Sequence, residues 1–172
     1  KRASEMISLA ISSKKSYENC KISVVRFGNV FGSAGSAVEI FKNQIRHNLP
    51  ITLTDIKMKR FFMSIREACN LVLQASQLNN SGSIFILKMG KPIMIIDMIN
   101  KIFNMMSSQN QKLKIKIIGK FKSEKINEKL SNRPLINTHI KEIGLEKEKI
   151  LNSTKIKVFL NDLDEYLNKL EE

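Results

Sequence analysis

The chain of 172 residues carries a formal net charge of +13, and 42% of its residues are hydrophobic, enough to bury a core in one domain or in part of a larger protein. Its two cysteines, Cys20 and Cys69, are far apart and lack a CxxC arrangement. This usage argues against a zinc site or a disulfide framework and favours a reducing, cytoplasmic compartment.

The positive charge raises the question of nucleic-acid binding, because lysine and arginine neutralise phosphates. The excess is mainly lysine, spread along the chain, and the sequence has no RNP-like aromatic pair, Cys/His finger or dense basic helix. We therefore expect no nucleic-acid partner. No apolar run is long enough to cross a bilayer, so we expect membrane attachment only through a region outside this sequence.

Helical spacing starts at the first residues of the chain. Ala3, Met6 and Ala10 recur on one face and predict a helix over residues 3–14. Because this helix begins so close to Lys1 and the chain lacks an initial Met, we expect a fragment of a longer protein.

A strand predicted over residues 22–27 leads into a glycine-rich loop. Gly28, Gly32 and Gly35 allow backbone conformations and close approaches that a side chain would prevent. Asn29 lies where the strand ends and where a ligand would meet the loop. The spacing alone leaves two interpretations open, a binding loop and a glycine-rich turn without a ligand.

Helices and strands alternate along the rest of the chain. Ser36 is expected to cap a helix, and Ser64 with Glu67 forms a capping box at the start of another. The stretch 120–148 contains two weak elements. The other predicted elements are strands at 51–54 and 83–89, a helix starting a residue or two before Asp97, an edge strand at 113–117 with its lysines facing water, and a C-terminal helix from about Thr154 whose apolar face holds Val158, Phe159, Leu163, Tyr166, Leu167 and Leu170. This order predicts an α/β protein with a parallel sheet and a smaller mixed lobe.

Four segments, taken in order, resemble the extended short-chain dehydrogenases/reductases, and within them the CapD-like UDP-N-acetylglucosamine 4,6-dehydratases of polysaccharide biosynthesis. The resemblance extends to about residue 106. The segments are Lys1 to Glu5, Val25 to Ser33 with Gly35 and Ser36, Arg60 to Ala68, and Ile84 to Leu87 with Met89 and Gly90.

The resemblance implies a lyase that oxidises C4 of a UDP-sugar with NAD or NADP, eliminates water across C5 and C6, and reduces C6. The cofactor of such enzymes lies in an N-terminal Rossmann half, and this sequence has no dinucleotide fingerprint. By this resemblance, residues 1–55 are the end of the cofactor domain with the substrate loop, and residues 56–172 are the substrate-binding lobe with the C-terminal helix. We expect this chain alone to be inactive.

The resemblance also assigns roles to individual residues. Lys1 matches the lysine of the Tyr-x-x-x-Lys or Met-x-x-x-Lys motif, which contacts the nicotinamide ribose and lowers the pKa of a nearby acid. Asn29 matches an asparagine that contacts the nucleotide-sugar. The following loop, with Ser33, Gly35 and Ser36, would face the diphosphate at a helix N-terminus. Arg60 matches an arginine that pairs with the diphosphate. No metal ligand is expected.

The sequence departs from the family pattern further on. Phe121 stands where the family has a second diphosphate-binding arginine, and Lys122-Ser123 replaces a Pro-Gly turn. Lys120 or Lys122 would supply only a point charge in its place. His139 lies in this divergent region and is expected to be a surface histidine rather than a catalytic base.

Other interpretations stay open. A second interpretation, beside the dehydratase, keeps the fold but assigns epimerisation or reduction of a nucleotide sugar. A third is a non-catalytic remnant that binds a protein partner. In the parent protein we expect a cytoplasmic location, with attachment to the inner face of the cell membrane in some relatives, and a homo-oligomer.

Overall fold

The computed structural model describes residues 1–33, 35–78, 80–108, 110–120, 124–148 and 153–171. The helices are α1 (Arg2–Ser12), α2 (Ala37–Arg46), α3 (Ile65–Ser76), α4 (Ile95–Met106) and α5 (Ser153–Glu171), with a 3₁₀ turn at Lys15–Tyr17. The strands are β1 (Val24–Arg26), β2 (Asn29–Val30), β3 (Ile51–Leu53), β4 (Lys59–Arg60), β5 (Phe62–Met63), β6 (Ile84–Leu87), β7 (Ile93–Met94), β8 (Ile115–Ile117), β9 (Ile136–Asn137) and β10 (Ile143–Glu146). Within these ranges, no helix combines the length and apolar character needed to span a bilayer.

The chain forms two compact units, each assembled from separate segments. The first unit contains Lys1–Arg26, Val72–Leu87 and Arg133–Glu172, and the second contains Phe27–Leu71 and Lys88–Asn132. The boundary predicted at residue 55 separates a cofactor part from a substrate part. It concerns function and stays a prediction.

The first unit contains a sheet with the strand order β1-β6-β10-β9. Strand β1 runs parallel to β6, and β10 runs antiparallel to both β6 and β9. All four residues of β6 are buried, because an apolar run without alternation can be covered on both faces. The predicted α/β class with parallel strands is confirmed.

Strand β10 is better buried than its sequence pattern indicated. It was expected only as one of two weak elements, yet all four of its residues are buried in the sheet. Gly144 explains part of its fit, since a Cβ atom there would lie 2.8 Å from Leu135 Cδ1. The backbone of β10 therefore approaches Leu135 more closely than any other residue would allow.

The second unit is built around two helices and a short strand. Helix α2 packs against α4 and against β3, and β3 pairs in parallel with β8. Strands β2 and β5 form a parallel pair, and β4 and β7 form an antiparallel pair. The buried core residues are Val38, Phe41, Ile45, Ile51, Leu53, Met58, Ile95, Met98 and Ile99.

Two capping predictions have different outcomes. The capping box is confirmed, since Glu67 Oε2 accepts from Ser64 N at 2.7 Å and Glu67 N donates to Ser64 Oγ at 3.2 Å. Ser36 does occupy the N-cap position of α2, but its side chain makes no cap hydrogen bond. Helix α4 begins at Ile95, before Asp97, as predicted.

Strand β8 pairs with β3 in a two-stranded sheet, and its Lys116 is exposed, as predicted for an edge strand with its lysines facing water. Ile115 and Ile117 are exposed as well. The predicted face of α5 differs from the structure. In α5, Val158 and Tyr166 are 54% and 62% exposed, whereas Ile156, which was not predicted, is buried. Among the described side chains of α5, the buried one is therefore Ile156 and not Val158 or Tyr166. Of the face predicted there, the side chains of Leu163, Leu167 and Leu170 lie outside the described residues.

Candidate functional site

Asn29 is positioned by the short parallel pair of β2 and β5. Its backbone N–H donates to Phe61 O at 2.9 Å, and Phe31 N donates to Met63 O at 2.9 Å. Asn29 is exposed, and in the described part of the chain its side-chain amide has no hydrogen-bond partner. The amide can therefore both donate to and accept from a ligand oxygen.

Gly28 allows β2 to lie where it does. A Cβ atom at Gly28 would lie 3.0 Å from Phe61 Cβ and 3.1 Å from Met89 Sδ. The close approach that the sequence suggested for this glycine is therefore confirmed.

The loop after β2 leads to the N-terminus of α2. Gly32 and Gly35 have φ values of +76° and +69°, which strongly favour glycine. Ser33 is exposed, and its hydroxyl donates to Val30 O at 3.0 Å. Ser36 N donates to Ser33 O at 3.1 Å, which closes the turn before the helix.

The hydroxyl of Ser36 is buried and has no hydrogen-bond partner among the residues that the structure describes. It lies at the N-cap of α2, where backbone N–H groups and the helix dipole favour an anion. A buried hydroxyl without a hydrogen bond lowers the stability of the fold unless a ligand or water binds to it.

Arg60 lies in a dense set of interactions on β4. Its Nη1 donates to Lys59 O at 2.8 Å and to Ile126 O at 3.0 Å. Glu124 Oε1 lies 3.7 Å from Nη2, and Glu128 Oε2 lies 3.9 Å from Nε. The Arg60 side chain is only 16% exposed.

The two glutamates are held near Arg60 without hydrogen bonds to it. Thr54 Oγ1 donates to Glu124 Oε1 at 3.2 Å. Glu124 Oε2 and Glu128 Oε2 are buried and lack hydrogen-bond partners among the described residues. Two carboxylates thus lie close to one guanidinium. Their negative charges offset the positive charge of Arg60 that would attract a diphosphate.

Lys1 is in the first unit and is exposed at the N-cap position of α1. Helix α1 is tied to the sheet by a chain of ion pairs next to Lys1. Arg26 Nε and Nη2 donate to the two oxygens of Glu5 at 2.9 and 2.8 Å, and Arg2 Nη1 donates to Glu5 Oε2 at 3.0 Å.

The chain of ion pairs continues from both arginines. Arg26 Nη1 lies 3.3 Å from Oε2 of the buried Glu146, and Arg2 Nη2 lies 2.8 Å from Glu148 Oε2. The hydrogen bond with Glu5 raises the pKa of the Arg26 guanidinium. Burial acts to raise the pKa of Glu5, but the hydrogen bonds from Arg26 and Arg2 outweigh it, so this pKa lies below its ordinary value.

The sequence predicts ligand-binding roles for Asn29, the glycine-rich loop and Arg60, but not the side chains that lie beside them. It did not identify Glu124 and Glu128 as the counter-ions of Arg60, nor the ring stack of Phe31 on Phe62 described below. His139 is exposed, as expected. The replacement at Phe121 to Ser123 lies outside the described residues. The assigned ligand roles of the site residues stay predictions.

The family model described as "Polysaccharide biosynthesis protein" matches residues 1–147. The chain is 40% identical over 135 residues to the capsular polysaccharide biosynthesis protein CapD of Staphylococcus aureus, covering 77% of this chain and 22% of CapD. It is 38% identical over 107 residues to a UDP-glucose 4-epimerase of Rickettsia bellii, covering 62% of this chain and 30% of the epimerase.

Among solved structures, the chain resembles Pen from Bacillus thuringiensis with a TM-score of 0.69 and 30% identity. The match covers 87% of this chain and 46% of Pen. The chain therefore spans less than half the length of each of these three proteins.

Proposed function

The chain belongs to the polysaccharide biosynthesis protein family, and we propose that it is the substrate-binding part of a nucleotide-sugar 4,6-dehydratase acting on UDP-N-acetylglucosamine. The observation that carries this proposal is the loop of the second unit, where the amide of Asn29 and the buried hydroxyl of Ser36, both without a partner among the described residues, are joined by two glycines with positive φ. An amide can hold a sugar oxygen, and a helix N-terminus can hold a phosphate.

The parent enzyme would oxidise C4, eliminate water across C5 and C6, and reduce C6 with NAD or NADP. The residues of this chain do not by themselves fit a dinucleotide, since the sequence has no glycine fingerprint and only the exposed Lys1 is assigned to the cofactor. The part played by this chain is to bind and orient the nucleotide-sugar, and alone it is inactive.

Arg60 would contribute to diphosphate binding only after partial release from Glu124 and Glu128. We therefore expect weak affinity, because the second arginine of the family pattern is replaced by Phe121. The exposed, unpaired Cys20 and Cys69 support a cytoplasmic location, where nucleotide-sugars are used and thiols stay reduced.

Isothermal titration calorimetry and saturation-transfer NMR with UDP-N-acetylglucosamine test the proposal. We expect binding by the chain, and a loss of about tenfold in affinity for Asn29→Ala. Asn104→Ala is the matched control, since Asn104 is an exposed asparagine on α4 of the same unit. Failure of the unmodified chain to bind the nucleotide-sugar would overturn the proposal. Turnover by the chain alone would contradict the expectation that it is inactive by itself.

A second candidate is epimerisation of a nucleotide-sugar, which the similarity to the Rickettsia bellii UDP-glucose 4-epimerase favours. Both reactions begin with oxidation at C4 and would use the same binding residues in this chain. They differ in the acidic and lysine residues that perform elimination, which lie outside this sequence. Joining the chain to the preceding part of its gene and identifying the product by NMR separates the two.

A further inference from the structure

A stacked pair of aromatic rings lies beside Asn29 in the second unit. The ring centroids of Phe31 and Phe62 are 4.5 Å apart with an interplanar angle of 17°. Stacking at this distance is favourable for two aromatic rings. The mechanism proposed above gives this pair no role.

The strand register places the rings and the amide on one face. Asn29 pairs directly with Phe62, and Val30 pairs with Met63. Phe31 directly follows β2, and its N–H donates to Met63 O at 2.9 Å, two residues after the bond from Asn29 N to Phe61 O. The backbone ladder therefore continues to Phe31, which shares the face of Asn29, and directly paired residues also share a face. Asn29, Phe31 and Phe62 therefore line the same side of the β2/β5 pair.

The two rings differ in burial. Phe62 is partly buried and packs against the core of the second unit, whereas Phe31 is 38% exposed. Stacking on an anchored ring fixes the orientation of Phe31. The result is an exposed aromatic surface of fixed orientation beside an exposed amide that lacks a partner within the described residues.

This combination fits a hexopyranose. A sugar ring presents C–H groups on its face, which gain from burial against an aromatic ring, and hydroxyl groups on its edge, which need hydrogen bonds. One amide can donate to one hydroxyl and accept from another.

We propose that Phe31, supported by Phe62, is the apolar wall of the sugar subsite and packs on the C–H face of the hexose while Asn29 binds a hydroxyl at its edge. The proposal rests on the proposed function, because it assigns the sugar of the nucleotide-sugar to this face. It makes Phe31 a residue that distinguishes UDP-sugars from UDP.

The test compares UDP-N-acetylglucosamine with UDP by calorimetry on the full chain. For Phe31→Ala we expect affinity for UDP-N-acetylglucosamine to fall about five- to tenfold, with affinity for UDP unchanged. Phe31→Tyr keeps the ring and should retain the affinity. Phe31→Leu keeps apolar volume without the ring, and its affinity for UDP-N-acetylglucosamine should lie between those of Phe31→Ala and Phe31→Tyr. This intermediate affinity would distinguish loss of the ring from loss of folding.

Saturation-transfer NMR gives an independent readout. Magnetisation from the aromatic protons of the protein should reach the sugar ring protons of the ligand, and Phe31→Leu should weaken this transfer. Transfer to the uracil protons instead, or an equal effect of Phe31→Ala on UDP and UDP-N-acetylglucosamine, would overturn the assignment while the proposed function stood. If neither ligand binds, the proposed function and this inference both fail.

Discussion

The carbonyl oxygen of Ile126 accepts from Arg60 Nη1 at 3.0 Å and from Lys59 N at 3.0 Å, so one carbonyl fixes both the side chain and the backbone of β4. The donors Nη2 and Nε of Arg60 lie 3.7 and 3.9 Å from Glu124 and Glu128, too far for hydrogen bonds to these carboxylates. A phosphate could recruit these two donors, because releasing them from the glutamates breaks no hydrogen bond between described residues.

Neutralising the carboxylates is therefore expected to strengthen binding of UDP. Glu128→Gln and Glu124→Gln each remove one negative charge beside Arg60. Affinity for UDP should therefore increase about two- to fivefold in each variant. Calorimetry at low ionic strength measures the gain, and added salt should reduce it. The amide oxygen introduced by Glu124→Gln would still accept the hydrogen bond from Thr54, so the local structure is retained.

The exposed Glu142 in the first unit supplies the control, and Glu142→Gln should leave UDP affinity unchanged. A gain for Glu128→Gln that persists in an Arg60→Ala background would show that the carboxylates do not act through Arg60. Unchanged affinity in both glutamine variants would show that the carboxylates do not compete with the ligand.

Acid stability of the first unit should depend on Glu5. Its pKa is held below the ordinary value of about 4.3 in the folded state, so the folded protein binds fewer protons there than the unfolded chain. Its contribution to stability is complete above the unfolded pKa and disappears as pH falls through the folded pKa. Glu5→Gln should therefore lower the free energy of unfolding by about 1–2 kcal/mol near pH 7 and by less below pH 4.

Urea unfolding followed by circular dichroism between pH 3 and pH 7 measures this effect. Glu142→Gln again serves as the comparison, and its stability difference should stay near zero across the range. A destabilisation by Glu5→Gln that is the same at pH 3 and pH 7 would contradict a role for the charge of Glu5.

Strand β10 should be sensitive to any side chain at Gly144. The Cβ of Gly144→Ala would meet Leu135 Cδ1 at 2.8 Å and Leu135 Cβ at 3.1 Å, so we expect a loss of about 1–3 kcal/mol. Leu135→Ala removes the obstructing branch, and the double variant should be more stable than the sum of the two single losses predicts. Additive losses measured by urea unfolding would show that Leu135 is not what restricts residue 144.

The sequence predicts those features whose interacting residues lie close together along the chain. The capping box of Ser64 and Glu67 depends on residues three apart, and β6 on a continuous apolar run, so both could be read locally. Strand β10 could not, because Gly144 and Glu146 are poor strand signals and become buried only by pairing with β6. Long-range pairing thus decided which weak segment entered the sheet.

The same distinction applies to the site. Asn29 and the glycines are recognisable from a short motif, since turn conformation is encoded locally. One partner of Arg60 is the backbone carbonyl of Ile126, 66 residues further along the chain, and a carbonyl leaves no signal in the sequence. The motif therefore predicts a ligand-binding role for the arginine without revealing that its side chain already makes hydrogen bonds within the protein.

Two serines at helix N-caps offer a matched test of the ligand site. Ser64 Oγ accepts from Glu67 N, so Ser64→Ala should destabilise the protein by about 1 kcal/mol. Ser36 Oγ is buried without a partner among the described residues, so Ser36→Ala should cost nothing in the absence of ligand or stabilise slightly. If the hydroxyl binds a phosphate, Ser36→Ala should weaken UDP binding several-fold while Ser64→Ala leaves it unchanged. Urea unfolding and calorimetry on the same preparations measure both effects, and a Ser36→Ala variant that loses stability but keeps UDP affinity would assign this serine to folding alone.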